Sequence, residues 1–84
     1  MSNKKLNHYK DNFTKYEVLL PWKYFVDVLT KIYEFDMKNK SGSCRVFVRD
    51  DERFTADEPH NRESFVSKQD RQKAINALIR LGLI

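Results

Sequence analysis

The alternating stretch from Ser43 to Arg49 constrains the fold of this chain more than any other part of its sequence. Small or apolar side chains take every second position and arginine or phenylalanine takes the others, in the order Cys44, Arg45, Val46, Phe47, Val48, Arg49. Successive side chains of a β-strand point to opposite faces of a sheet. The pattern therefore predicts a strand whose even-numbered face lies on the core. Its odd-numbered face, with two arginines and Phe47, is predicted to be open.

Two shorter strands are predicted to flank this one. Residues 33–38 alternate apolar and charged side chains, and residues 52–57 form a third short extended stretch that ends before Pro59. The connections at 39–42 and 50–51 are short, and connections of this length join antiparallel strands. The sequence thus predicts an antiparallel meander from about residue 33 to residue 58.

Helix signals precede the meander. Thr14, followed by Glu17 three residues later, forms a capping box, which predicts that a helix begins there. Pro21 then interrupts the pattern, so either a short first turn ends near Leu19 and a new helix starts at Pro21, or one helix is kinked there. We expect the main helix to run from Pro21 to Ile32 with a single apolar stripe.

A second helix is predicted after the meander. Ser67 and Asp70 form another capping box, and Gly82 is typical of the position that follows a helix. We expect this helix to run to about Leu81 with an apolar inner face. Arg71 is predicted to lie on its outer face.

These elements predict an α+β fold in the order helix-strand-strand-strand-helix. Each helix has one apolar stripe, and the economical arrangement packs both helices on one face of a three-stranded antiparallel sheet. Residues 1–12 are predicted to form a polar N-terminal arm, and residues 13–84 a single α+β domain.

Charge and composition restrict the possible functions. The chain has 84 residues, a net charge of +4 and a pI near 9.3. This basic balance fits contact with nucleic acid, and it also fits a solubilising charge or a protein partner. One cysteine and two distant histidines predict neither a disulfide framework nor a zinc site, and no cofactor is expected. We identify no signal peptide or membrane-spanning stretch, and so expect a cytoplasmic protein without a membrane partner.

A basic and aromatic cluster is the leading candidate for a nucleic-acid-binding site. It comprises Lys38, Lys40, Arg45, Phe47, Arg49 and Arg53. Such side chains on an open sheet face suit single-stranded RNA, because the cations hold phosphates and the ring stacks on a base. Two alternatives remain open: the arginines pair with acidic residues on a solvated face, or a partner protein covers Phe47.

Cys44 and His60 are the candidate catalytic residues. A cysteine nucleophile needs activation and usually a nearby base, and the alternative for Cys44 is a small buried side chain. His60 follows the third strand at the start of a loop, where an imidazole can transfer protons. The alternative for His60 is a histidine with a structural hydrogen bond.

Four short segments resemble the HicA family of bacterial toxins. They are Phe13–Val18, Ser41-Gly42-Ser43 with the following Arg45-Val46-Phe47, Glu58-Pro59-His60, and the closing Leu81-Gly82-Leu83-Ile84. The resemblance implies a fold like that of the double-stranded-RNA-binding domain, cleavage of mRNA, and inhibition by an antitoxin partner. It also implies a catalytic histidine at position 44, where this chain has Cys44. His60 matches the family's histidine after the third strand.

Three hypotheses follow from these observations. The first is an HicA-like endoribonuclease of a toxin-antitoxin pair that acts on single-stranded RNA or mRNA. The second is a non-catalytic nucleic-acid-binding module on the same fold. The third is a protein-interaction module, such as a small phage-encoded or plasmid-encoded regulator that binds a host protein.

Overall fold

A computed structural model of the protein describes residues 4–60 and 64–84. The protein has an α+β fold in the order α-α-β-β-β-α. The helices are α1 (Lys4–Asp11), α2 (Trp22–Asp27), which continues as a π-helical turn (Val28–Ile32), and α3 (Lys68–Arg80). The strands are β1 (Asp36–Ser41), β2 (Cys44–Arg49) and β3 (Glu52–Asp57), and they form an antiparallel sheet in the order β1-β2-β3. No helix within the described ranges is long and apolar enough to cross a membrane.

The N-terminal region differs from the prediction. No helix begins at Thr14, because residues 12–18 form successive turns, and the prediction of a helix start there is wrong. Residues 4–11, which the sequence placed in a polar arm, form α1. Leu6 and Tyr9 of this helix pack against the core, and the Tyr9 ring stacks on that of Tyr24 at 4.7 Å. The separation of an arm from a domain at residue 12 stays a prediction.

Pro21 marks the beginning of α2 rather than a kink. Its extended backbone (φ −61°, ψ 144°) places it just before the first helical residue. Because proline lacks an N–H group, it is well tolerated at a helix start. The predicted main helix from Pro21 to Ile32 is confirmed in extent, as an α-helix followed by the π-helical turn.

The sheet faces the opposite way from the prediction. Phe47 is fully buried, and its ring lies 5.7 Å from that of Phe25 on α2 and 5.1 Å from that of Phe54 on β3. Burying one phenylalanine removes more apolar surface from water than burying a cysteine or a valine. Phe47 therefore decides which face the helices cover. Because side chains alternate along the strand, Arg45 and Arg49 lie on the same face of the sheet as Phe47.

The even-numbered side of β2 is consequently the open face of the sheet. Val46 pairs with Lys38 and Thr55 across the strands, whereas Phe47 pairs with Phe54. Val46 and Val48 line a hollow on this face; Val46 is buried, but it lies outside the main core cluster. Strand β1 also begins later than predicted, because Glu34 adopts a left-handed conformation (φ 60°) between the buried Tyr33 and Phe35.

The helix α3 begins and ends as its sequence predicts. The Ser67 hydroxyl accepts a hydrogen bond from the Asp70 amide at 3.1 Å. Gly82 has φ +73°, and the amide of Leu83 donates to the carbonyl of Leu78 at 2.9 Å, which closes a Schellman motif. Arg71, which was expected on the outer face, is buried instead, and that expectation is wrong.

Candidate functional site

An open cavity of about 340 Å³ lies at one end of the meander. Its lining residues are Gly42, Ser43, Arg45, Glu58, Pro59 and His60. The pairing of β2 with β3 brings the β1–β2 turn against the chain that follows β3, and the Glu58 amide donates to the Ser43 carbonyl at 2.8 Å. Gly42 provides the left-handed backbone of the turn, with φ +53°. Residues far apart in sequence therefore share one small space.

Arg45 is held in a fixed orientation at the wall of this cavity. Its Nε atom lies 3.3 Å from a carboxylate oxygen of Glu58, and its Nη1 atom donates to the Gly42 carbonyl at 2.9 Å. The Arg45 side chain is only 17% exposed, so little freedom is lost when it binds a ligand. A guanidinium fixed in this way can contact a phosphate group that enters the cavity.

His60 adds a proton-transfer group to the same cavity. The residue is exposed, and it follows Glu58 and Pro59 on the chain after β3. Histidine is the side chain best suited to exchange protons near neutral pH. An imidazole, a guanidinium and the Ser43 hydroxyl around one opening form a set suited to the chemistry of a phosphate ester.

Cys44 does not line this cavity, although it immediately precedes Arg45 in β2. Alternation along β2 places the two residues on opposite faces, and the half-buried free thiol of Cys44 lies on the open face of the sheet. Its predicted position on the core face is wrong. The structure thus brings His60, but not Cys44, to the lining of the cavity.

The predicted nucleic-acid-binding cluster divides into two groups. Phe47 is buried, so the prediction that it stacks on a base from an open face is wrong, as is the alternative in which a partner protein covers it. Arg49 donates to the carbonyl of Tyr33, and its Nε atom lies 3.6 Å from an Asp50 carboxylate oxygen. Arg45 and Arg49 therefore make local contacts within the protein.

The other three residues of the cluster, Lys38, Lys40 and Arg53, remain together on the open face. They line a hollow of about 370 Å³ with Val46 and Val48. Within residues 4–60 and 64–84, none of these three side chains makes a hydrogen bond or an ion pair. Uncompensated cations on an open surface attract a polyanion.

A groove between the β3 edge and α3 was missed by the sequence analysis. It has a volume of about 450 Å³ and is lined by Lys40, Arg53, Phe54, Thr55, Lys73, Asn76 and Arg80. The signal that could have indicated it is the polar stripe of Lys73, Asn76 and Arg80, which lie three and four residues apart on α3. Only the packing of α3 on β3, which the sequence does not specify, brings this polar stripe beside Arg53.

Among the residues that the structure describes, two groups outside these regions have shifted pKa values. Burial raises the pKa of the Tyr33 hydroxyl, and the negative charge of Asp11 raises it further. Burial also lowers the pKa of the Arg71 guanidinium, against the opposing influence of Tyr16 and Glu17. Among the described residues, no group of three or more histidine, cysteine, aspartate or glutamate side chains could hold a metal ion.

Comparison of the whole chain with protein-family profiles, curated proteins and solved structures finds no significant match in any of the three. Function is therefore inferred from the cavity, the open face and the groove.

Proposed function

We propose that this protein is an RNA-binding, HicA-like endoribonuclease with a fold like that of the double-stranded-RNA-binding domain. One observation carries the proposal. Two segments that resemble the HicA family, Ser41-Gly42-Ser43 and Glu58-Pro59-His60, contribute most of the lining of a single cavity, which also contains Arg45. Lys38, Lys40 and Arg53 on the open face, which have no side-chain partner among the residues that the structure describes, supply positive charge for the RNA backbone.

The cavity supports a defined cleavage step. His60 accepts the proton of a ribose 2′-hydroxyl, and the 2′ oxygen then attacks the adjacent phosphorus. The bond from phosphorus to the 5′ oxygen breaks, and the departing oxygen takes a proton from water. His60 then releases its proton to the hydroxide that remains, which restores the neutral imidazole. The products are a 2′,3′-cyclic phosphate and a free 5′-hydroxyl. Arg45, held by Glu58, stabilises the negative charge that develops on the phosphate.

Cys44 is assigned no part in this step. It occupies the position that the resemblance gives to the family's histidine, yet it lies on the opposite face of β2 from Arg45. Among the side chains, proton transfer is therefore assigned to His60 alone. A physiological inhibitor of the toxin-antitoxin type is part of the same proposal, since an unregulated ribonuclease would arrest its own host.

The test compares His60→Ala with two controls, His8→Ala and Cys44→Ala. His8 is the other histidine of the chain and lies in α1. Purified proteins are incubated with a labelled single-stranded RNA, and each variant is also expressed in bacteria to score growth arrest. We expect His60→Ala to lower the cleavage rate by about 100-fold or more, and both controls to cut RNA and arrest growth. Intact RNA with the unaltered protein, or equal cleavage by His60→Ala, would overturn the nuclease assignment.

A non-catalytic module that binds a host protein is the second candidate, and strand β1 favours it. All six residues of this edge strand are exposed. An exposed edge presents unpaired backbone groups to which a partner can add a strand. This candidate predicts a stoichiometric complex with a protein and an ultraviolet absorbance ratio, after purification, that shows no retained nucleic acid. Retained RNA, or cleavage by the pure protein, would exclude it.

A further inference from the structure

The groove between the β3 edge and α3, here called the β3–α3 groove, is continuous with the hollow on the open face. Lys40 and Arg53 line both. A chain that crosses the sheet over Val46 and Val48 can therefore pass over the β3 edge and onto α3. The wall contributed by α3 carries Lys73, Asn76 and Arg80.

Positive charge exceeds negative charge along this groove. Two of its four cations, Lys40 and Arg53, have no side-chain partner in the described parts of the chain. Lys73 lies 3.6 Å from Asp70, and Arg80 lies 2.8 Å from Glu52. The Lys73 and Arg80 side chains are each about half exposed, and exposed ion pairs stabilise a protein little. Both cations remain available to an incoming anion.

Neutral polar groups lie between these charges. The Asn76 carbonyl oxygen accepts a hydrogen bond from the Gln72 side chain at 2.9 Å. The Asn76 amide nitrogen makes no hydrogen bond within residues 4–60 and 64–84 and can donate to a ligand. The Lys73 ammonium group lies 3.3 Å from the Thr55 carbonyl, which holds it over the edge of β3. Donors therefore predominate along the α3 wall.

We propose that the β3–α3 groove binds the sugar-phosphate backbone of single-stranded RNA, with Lys73, Asn76 and Arg80 as contacts beyond those on the open face. The proposal rests on the proposed function, because it extends the path of the same RNA. The composition of the groove favours RNA over a protein. Protein interfaces have apolar cores that are depleted of lysine, whereas here Phe54 is the only apolar lining residue among those that the structure describes.

The test inserts one negative charge into the groove and one outside it. Asn76→Asp keeps the size and the hydrogen-bond acceptor of Asn76. Gln69→Glu makes the same change from amide to carboxylate on the exposed first turn of α3, outside the lining of the groove. Arg53→Gln serves as the reference for loss of a contact that the groove shares with the open face. Far-ultraviolet circular dichroism and thermal melting of each variant check that the fold is kept.

Binding is measured by fluorescence anisotropy with a labelled 2′-O-methyl oligouridine, which lacks the 2′-hydroxyl and cannot be cleaved by the proposed step. We expect Asn76→Asp to weaken binding by about five- to tenfold, because the new charge faces phosphates at short range. Gln69→Glu should weaken it by less than about twofold, since an exposed charge outside the path is screened by salt.

Three outcomes would overturn the proposal. Equal weakening by Asn76→Asp and Gln69→Glu would mean that net charge alone matters. Unchanged binding by Asn76→Asp, together with weaker binding by Arg53→Gln, would confine the RNA to the open face. A polyglutamate peptide that competes as well as RNA of equal charge would mean that any acidic chain is bound. Cleavage is scored separately with unmodified RNA, so a groove that fails these tests leaves the assignment of His60 unaffected.

Discussion

The Arg71 guanidinium on α3 donates from its Nε atom to the Phe13 carbonyl at 2.9 Å, which ties the last helix to the segment after the first. Its other nitrogens donate to the carbonyls of Asn12, Lys15 and Val18 at 2.8–2.9 Å. The Tyr16 ring lies 5.3 Å from the guanidinium carbon. One buried arginine thus satisfies four carbonyls of a segment that has no regular structure of its own.

Replacing Arg71 should therefore destabilise the whole fold. Arg71→Lys keeps a positive charge but cannot reach four carbonyls in this planar arrangement. We expect the free energy of unfolding to fall by about 2–4 kcal/mol, because the Phe13 and Val18 carbonyls lose the donor that Arg71 provides and a buried cation loses hydrogen bonds. Chemical denaturation measures the change. Arg80→Lys on the exposed side of α3 is the matched control and should cost less than about 0.5 kcal/mol; equal losses in both variants would contradict this role for Arg71.

The segment contacted by Arg71 also shows where sequence reasoning reaches its limit. The capping pattern of Thr14 and Glu17 is a local signal, yet the donor to the Phe13 and Val18 carbonyls is Arg71, more than fifty positions away. Ser67 and Asp70 show the same type of pattern, and there the local hydrogen bond forms as predicted. A capping pattern satisfies only N–H groups, so whether the helix forms also depends on which groups, near or distant, donate to the carbonyls of the segment.

Phe47 shows a second limit of sequence reasoning, which is the choice of the buried face of a strand. The alternation in β2 correctly predicts its bounds to within one residue, because period-two patterning is a property of the strand itself. Which face is buried depends on what packs there, and the rings of Trp22, Phe25 and Phe54 meet Phe47. The residues that line the candidate cavity come together only through the pairing of β2 with β3. Sequence reasoning could therefore name some of these residues but could not predict that they share one cavity.

Substitution of Phe47 should therefore lower the free energy of unfolding, and not directly weaken RNA binding. Phe47→Ala leaves a cavity among aromatic rings and should lower the free energy of unfolding by about 3–5 kcal/mol, a large share of the stability of a small domain. Val48→Ala, on the open face of the same strand, should cost about 1 kcal/mol or less. Thermal melting distinguishes the two. A Phe47→Ala protein that melts normally and only loses RNA binding would show that Phe47 is presented to a ligand.

The raised pKa of Tyr33 predicts a loss of stability in alkali. Burial disfavours the phenolate form, and Asp11 disfavours it further, so the folded state holds the proton more tightly than the unfolded chain does. The resulting stabilisation is fully present below pH about 10, the ordinary value for tyrosine, and is lost as the pH rises through the higher value of the folded state.

Tyr33→Phe tests this directly. The variant should retain more of its neutral-pH stability than the unaltered protein when both are unfolded by denaturant above pH about 10. Tyr24→Phe is the control for the loss of a hydroxyl group as such, because Tyr24 is a partly buried tyrosine that packs against the same core. Parallel curves for the Tyr33→Phe variant and the unaltered protein would mean that ionisation of Tyr33 is not linked to unfolding.

The division of the basic cluster predicts that its arginines differ in their contribution to the proposed RNA binding. Arg53 has no ion-pair or hydrogen-bond partner for its side chain among the described residues, whereas Arg49 is held by Tyr33 and Asp50. Each cation that neutralises a phosphate of single-stranded RNA releases condensed counterions, and the slope of log affinity against log salt changes by about 0.7.

Arg53→Gln should therefore weaken binding at low salt and make this slope shallower by about that amount. Arg49→Gln should leave the slope unchanged, as measured by anisotropy over a salt series with the 2′-O-methyl RNA. A shallower slope for Arg49→Gln and not for Arg53→Gln would place the RNA on the helix-covered side of the sheet, against the open-face assignment.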